Sequence, residues 1–203
     1  QTMQRIIVGI SGASGAIYGI RLLEILRELE VSTHLIMTKS AELTIAHETD
    51  WKVADVKGIA DTWYPVEDIG APPASGSFKT MGMVVAPCSM RTVGEMATGI
   101  SSTLLTRAAD VVLKERRKLI IMVRETPLHS VHLRNLAILS DMGAIIAPPV
   151  PAFYAMPDTI DAMVDHTLGR VLDCLDIESG KVSRWGEDVG NKGRLKRSRN
   201  DKS

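Results

Sequence analysis

Short apolar runs alternate along the chain with longer stretches that carry an apolar residue every third or fourth position. Residues 5–10, Arg5-Ile6-Ile7-Val8-Gly9-Ile10, form the first run. A β-branched run of this length reads as a strand buried on both faces. Residues 16–29 place Ile17, Ile20, Leu23, Ile25, Leu26 and Leu29 at helical spacing, which predicts an amphipathic helix. Further strands are expected at 31–38, 81–86, 119–123 and 144–147. Helices are expected at 40–47, 54–61, from Ser89 onward, and at 104–114, 131–142 and 159–175. Residues 65–77 read as loop, with Pro72-Pro73-Ala74-Ser75-Gly76-Ser77 at its centre.

Strands alternating with helices predict an α/β fold, a Rossmann-like (flavodoxin-like) three-layer domain with a parallel sheet. No repeat or linker divides the chain. Residues 1–187 are expected to form a single domain and residues 188–203 a basic, disordered tail. In such sheets ligands bind beyond the carboxyl ends of the strands, where strand order reverses. The segments 11–15, 38–40, 87–92, 124–127 and 148–154 all follow expected strands. They are expected to share one rim.

Composition narrows the class. Lys plus Arg equals Asp plus Glu at 24 each, which argues against an extended nucleic-acid surface. The one charge block, Lys192 to Lys202, carries six basic residues and Asp201. No 18-residue apolar run exists, so no membrane span is expected. Cys88 and Cys174 stand far apart, which suits neither a disulfide framework nor a metal site. A reducing compartment follows, and the cytoplasm is the expectation. The alternative is mitochondrial, if a transit segment was removed.

Several segments can carry chemistry. In Ser11-Gly12-Ala13-Ser14-Gly15, small residues let backbone N–H groups approach an anion at a helix start. A tight structural turn fits the same residues. The turn lacks the third glycine of a dinucleotide fingerprint, and Thr38-Lys39 stands where that motif needs an acid. Pro87-Cys88-Ser89-Met90-Arg91-Thr92 puts hydroxyls at another helix start, with Cys88 read as a buried apolar residue. Arg124-Glu125-Thr126-Pro127 ends a strand. Its arginine suits a phosphate and its glutamate suits proton transfer. An exposed ion pair is the alternative. Arg107, within a close-packing run, needs a partner. His47-Glu48 lacks a second histidine four residues on, so no metal is expected there. Tyr154 and Arg170 together suit a small phosphate ester.

Taken together these stretches resemble the UbiX-like flavin prenyltransferases. The matching residues are Val8 to Ala16, Pro73 to Ser77, Pro87 to Thr92, Thr106 to Val111 with Leu113 to Arg116, Arg124 to Leu128, and Pro149 to Tyr154, with Arg184-Trp185 near the end. The resemblance implies a metal-independent enzyme that transfers the dimethylallyl group of dimethylallyl phosphate to reduced FMN. Bonds form at N5 and C6, and the product serves a UbiD-like decarboxylase in ubiquinone synthesis or phenolic-acid breakdown. It implies a homo-oligomer, a dodecamer, with sites at subunit interfaces.

Residue by residue, the resemblance implies FMN contacts from Gly12, Ala13, Ser14, Thr38, Ser89, Met90, Arg91, Thr92 and Arg124. It implies dimethylallyl phosphate contacts from Lys114, Tyr154 and Arg170, with Trp185 covering the prenyl pocket. Glu48 and Glu125 take proton-handling roles, and Ser14 bridges flavin and phosphate. Most members carry serine where this chain has Thr38, whose hydroxyl serves the same contact. The alternative is a flavin-dependent cysteine decarboxylase of the related homo-oligomeric flavoproteins. Those carry Pro-Ala-Ser-Ala-Asn-Thr and Pro-x-Met-Asn where this chain has Pro73-Ala74-Ser75-Gly76-Ser77-Phe78 and Pro87-Cys88-Ser89-Met90. A third reading, a flavin carrier without activity, leaves Lys114, Arg124, Glu125, Tyr154 and Arg170 unexplained.

Overall fold

The β-branched runs pair in parallel into one sheet. A computed structural model describes residues 4–182. The strands are β1 (Arg5–Ile10), β2 (Ser32–Met37), β3 (Thr62–Tyr64), β4 (Gly82–Cys88), β5 (Lys118–Val123) and β6 (Ile145–Ile146). Their order is β3-β2-β1-β4-β5-β6, and every pairing is parallel. The helices are α1 (Ala16–Glu28), α2 (Lys39–Glu48), α3 (Val53–Ile59), α4 (Met90–Thr98), α5 (Leu104–Lys114), α6 (Ser130–Asp141) and α7 (Ile160–Asp173).

Alternation along the strands makes two cores. Ile6, Val8 and Ile10 of β1 pack with α1, α2, α3 and α7 on one face. Ile7, Met83 and Val85 pack with α4, α5 and α6 on the other. The crossover after β1 therefore lies on one face and the crossover after β4 on the other. Because β1 and β4 are neighbours, the winding reverses between them. Two helix N-termini part there and leave a crevice at the carboxyl edge.

The differences from the sequence reading have local causes. β3 carries no apolar run: Thr62 and Trp63 are exposed, and β3 pairs only with β2 at the sheet edge. Edge strands lose the two-sided burial that marks the others. β4 continues through Pro87 to Cys88 rather than ending at Ala86. Its ladder with β1 stops at Gly9↔Val85, so the missing proline N–H removes no rung. Among the described residues no helix is long and apolar enough to cross a membrane.

Candidate active site

At the crevice a cavity of about 600 Å³ opens, within the usual range for a small-molecule site. It is lined by Gly12 after β1, Thr38, Lys39 and Ser40 after β2, and Ser89, Arg91 and Thr92 after β4. Val66, Glu67 and Ile69 close one side, and Ser102, Thr103 and Thr106 another. Helix starts converge on it. Thr38 caps α2 by accepting Ala41 N–H at 3.0 Å. Ser89 caps α4 by accepting Thr92 N–H at 3.3 Å. Thr103 and Thr106 form a reciprocal capping box on α5. Such N-termini favour negative charge. Gly12 is required by packing, because a Cβ there would lie 2.4 Å from Ser40 Cβ. Met90 opens α4 and packs partly into the second core.

Beside the cavity, Glu48 at the end of α2 reaches back to the start of α1. Its carboxylate accepts the Ser14 hydroxyl, Gly15 N–H at 2.9 Å and Ala16 N–H at 3.4 Å. Gly15 is the N-cap of α1 with φ 99°, a left-handed conformation that glycine adopts without penalty. Partial burial pushes the Glu48 carboxyl up. The bonds from Ser14, Gly15 and Ala16, with the charge of Arg124, outweigh it and hold the group below its ordinary value. Glu48 is thus an ionised carboxylate at neutral pH, suited to orient Ser14 and the start of α1. Arg124 and Glu125 follow β5 and are exposed. Arg124 N–H meets Cys88 C=O at 3.5 Å, which joins the β5 loop to the β4 loop. Glu125 Oε1 accepts Thr126 N–H at 3.1 Å. Cys88 is fully buried, and burial pushes its thiol up, which excludes it as a thiolate nucleophile. Arg107 finds its partner in Asp110 at 3.1 Å.

The five expected loops all follow strands of the parallel sheet and so lie at its carboxyl edge, but they line two cavities rather than one. Tyr154 and Arg170 line a second cavity of about 550 Å³ between β6, the 148–154 loop and α7. The Tyr154 hydroxyl lies 3.5 Å from His166 Nε2, and Arg170 donates to Asp173 at 2.9 Å. Lys114 is farther away. It ends α5, which starts at the cavity and runs back to the amino edge where β5 begins. The rise of the helix puts it roughly 16 Å from the rim. There Lys114 pairs with Glu115 at 2.7 Å. The Pro73–Ser77 motif lies beside it, with the Gly76 and Phe78 carbonyls held by Arg117 at 2.7 and 3.0 Å. Trp185 and the basic tail lie outside the described residues. The sequence places Ser11 in the anion-binding turn and residues 66–69 in a loop without giving either a role of its own, and it does not single out the Thr103–Thr106 box. Of that box only the Thr-x-x-Thr spacing was visible in advance.

A doubly wound parallel sheet with an anion-ready cleft at its switch point defines a nucleotide- or flavin-binding protein of the Rossmann-like class. The Flavoprotein family model matches residues 1–187. The chain is 50% identical over 181 residues to flavin prenyltransferase UbiX of Thauera aromatica, covering 89% of this chain and 93% of that protein. It is 49% identical over 186 residues to the Escherichia coli K12 enzyme of that name, covering 90% and 98%. The chain belongs to the Flavoprotein family and, within it, to the UbiX flavin prenyltransferases. A crystal structure of AnUbiX (PadA1) in complex with FMN and dimethylallyl pyrophosphate superposes with a TM-score of 0.89 at 47% identity, covering 90% of this chain and 97% of that one. A dodecameric FMN-dependent UbiX-like decarboxylase from E. coli O157:H7 gives 0.88 at 47%, covering 90% and 99%. The cysteine decarboxylase SpaF shares the fold alone, at 16% identity and a TM-score of 0.60 over 71% of this chain and 83% of that one.

Proposed function

We propose that this chain is a flavin prenyltransferase that binds FMN in the crevice between β1 and β4 and transfers a dimethylallyl group from dimethylallyl phosphate to it. The observation that carries this is half-identity over nine-tenths of the chain to enzymes of that activity, joined to a cleft built for an anion-bearing ligand. The residues present fit FMN. Thr38, Ser89 and Thr92 offer hydroxyls, Gly12 lets backbone come close, and Arg91 and Arg124 bring positive charge to the rim.

Reduced FMN, when bound, supplies the electron-rich ring that is alkylated. The protein must draw off the phosphate and keep water from the allyl group. Ser14 donates its hydroxyl to Glu48, so toward a bound flavin its oxygen would serve as an acceptor, while the phosphate would draw on cationic and N–H donors. Arg124 stabilises the departing phosphate. Glu125 would take up the proton that alkylation of a bound flavin releases, with Glu48 as the second acidic group at the site.

Lys114, Tyr154, Arg170 and Trp185 complete the donor site from neighbouring copies. The separation of Lys114 from the rim supports this, as does the dodecameric state of the E. coli relative. The apolar residues Leu128, Val131, Leu133, Val150 and Phe153, exposed on one chain, suit burial between copies. The product passes to a UbiD-like decarboxylase, and the two free cysteines suit the cytoplasm.

Anaerobic incubation with reduced FMN and dimethylallyl phosphate is expected to yield a flavin heavier by one prenyl unit. Bound FMN with no mass shift sinks the reading. A parallel reaction with the pyrophosphate, the donor named for AnUbiX, distinguishes the two leaving groups. Release of CO₂ from a cysteine-ended peptide would favour the decarboxylase alternative.

A further inference from the structure

We infer that Ser11 is a positioning residue for the flavin site, a buried staple that sets the α1 and α4 helix starts against each other. The flavin consequence rests on the function proposed above; the staple itself does not.

Ser11 is fully buried, while its chain neighbour Gly12 and its bonded partner Ser89 line the cavity. The β1–β4 ladder ends at Gly9↔Val85, and β4 then shifts register against β5 between Val85 and Cys88. Beyond that rung the two strands would separate, and Ser11 bridges the gap. Its hydroxyl donates to Pro87 C=O at 2.8 Å and accepts Ser89 N–H at 2.8 Å. Its own N–H reaches the same carbonyl at 3.2 Å. A hydroxyl is suited to this place because it donates and accepts at once. The next residue, Gly12, enters the cavity at the α1 turn. Ser89, held through its backbone, keeps its side chain for capping α4 through Thr92 N–H. One hydroxyl thus fixes the spacing of two dipole ends that act on one anion.

Removing the hydroxyl leaves the part-buried Ser89 N–H without this partner, which carries a cost. The loop relaxes toward solvent or ligand, and the two helix starts drift. Ser11→Ala is expected to weaken FMN binding tenfold to a hundredfold and to raise the amide exchange rate of Ser89 in the flavin-free protein. Ser11→Thr retains the hydroxyl and is expected to stay within a few-fold of wild type in both readouts. Ser11→Val, which matches threonine in shape, is expected to behave like Ser11→Ala. Guanidinium unfolding of each variant shows that the chain remains cooperatively folded.

Wild-type FMN affinity in Ser11→Ala, or threonine and valine variants equally impaired, overturns the proposal. If wild-type protein binds no FMN, the flavin reading fails instead. Ser89 amide exchange then still judges the staple, and unchanged protection in Ser11→Ala removes it.

Discussion

At Gly12 a single hydrogen atom in place of a methyl decides whether two loops fit. The Cβ of any other residue would sit 2.4 Å from Ser40 Cβ, an atom fixed to the α2 backbone rather than the tip of a mobile side chain. Gly12→Ala is therefore expected to push α2 and the α1 turn apart, costing about 1–3 kcal/mol of stability. FMN affinity is expected to fall at least tenfold by fluorescence titration; retained affinity would show that the close approach is incidental. Glu125 makes a different case. Its carboxylate is exposed and holds the neighbouring Thr126 amide, so the amide side chain of glutamine can replace it without burying a charge. Glu125→Gln is expected to bind FMN normally and slow turnover on the order of a hundredfold, the usual scale of general acid–base catalysis. Unchanged turnover would remove Glu125 from the proton-handling group and leave Glu48.

Ionisable groups tie elements together, and this gives the fold an acid limb. Glu48 links the end of α2 to the start of α1. Its folded-state pKa lies below the ordinary value near 4.5, so its stabilisation is present above that pH and is lost as pH falls through the folded value. The bridge is exposed, so its contribution is small, below about 1 kcal/mol. His34 of β2 is buried against Tyr64 and Phe78, with Nδ1 2.8 Å from the Tyr64 hydroxyl. Burial, with the charge of Arg5, pushes its pKa below the ordinary 6.5. Its stabilisation is complete above that pH and declines as pH falls through the folded value. Chemical denaturation from pH 7.5 to 3 is thus expected to show two successive losses. Glu48→Gln is expected to flatten the second, below pH 4.5; a variant profile superimposable on wild type would show that the bridge is energetically silent.

For the whole molecule the question is which residues meet. In one chain Ser14 lies at the carboxyl rim and Lys114 at the amino edge, the full length of a helix apart. If neighbouring copies complete each site, Ser14→Ala and Lys114→Ala homomers are each expected to lose activity on the order of a hundredfold. Dissociating and remixing the two is expected to restore part of it, because some interfaces then join an intact Ser14 to an intact Lys114. No recovery in verified mixed assemblies would place both residues in a site of one chain.

Much of this was legible in advance. Two-sided strands such as residues 5–10 and helical stripes such as 16–29 are local patterns, and local patterns survive in sequence order. β3 was not legible, because a three-residue edge strand has only one neighbour to bury it. The rim loops after β1, β2 and β4 were legible as small and hydroxyl residues at strand ends, and the loop after β5 as a charged pair directly following an apolar strand; capping by Thr38 and Ser89 uses the same hydroxyls. Ser11 was legible as part of the turn but its cross-strand role was not, because its partners lie more than seventy positions away and no local spacing announces a hydroxyl that works across two strands.

The sequence by itself determined the alternation of strand and helix, the chemistry available at each strand end and the family. Each follows from residue type and short-range period, which are written along the chain. Only the tertiary structure decided that winding reverses between β1 and β4, that Glu48 holds Ser14, that Lys114 ends α5 at the amino edge, and that Tyr154 and Arg170 line a second cavity. Those facts depend on strand order and on the direction each crossover takes. Both are set by burial of two apolar faces across the whole sheet, which no single segment encodes.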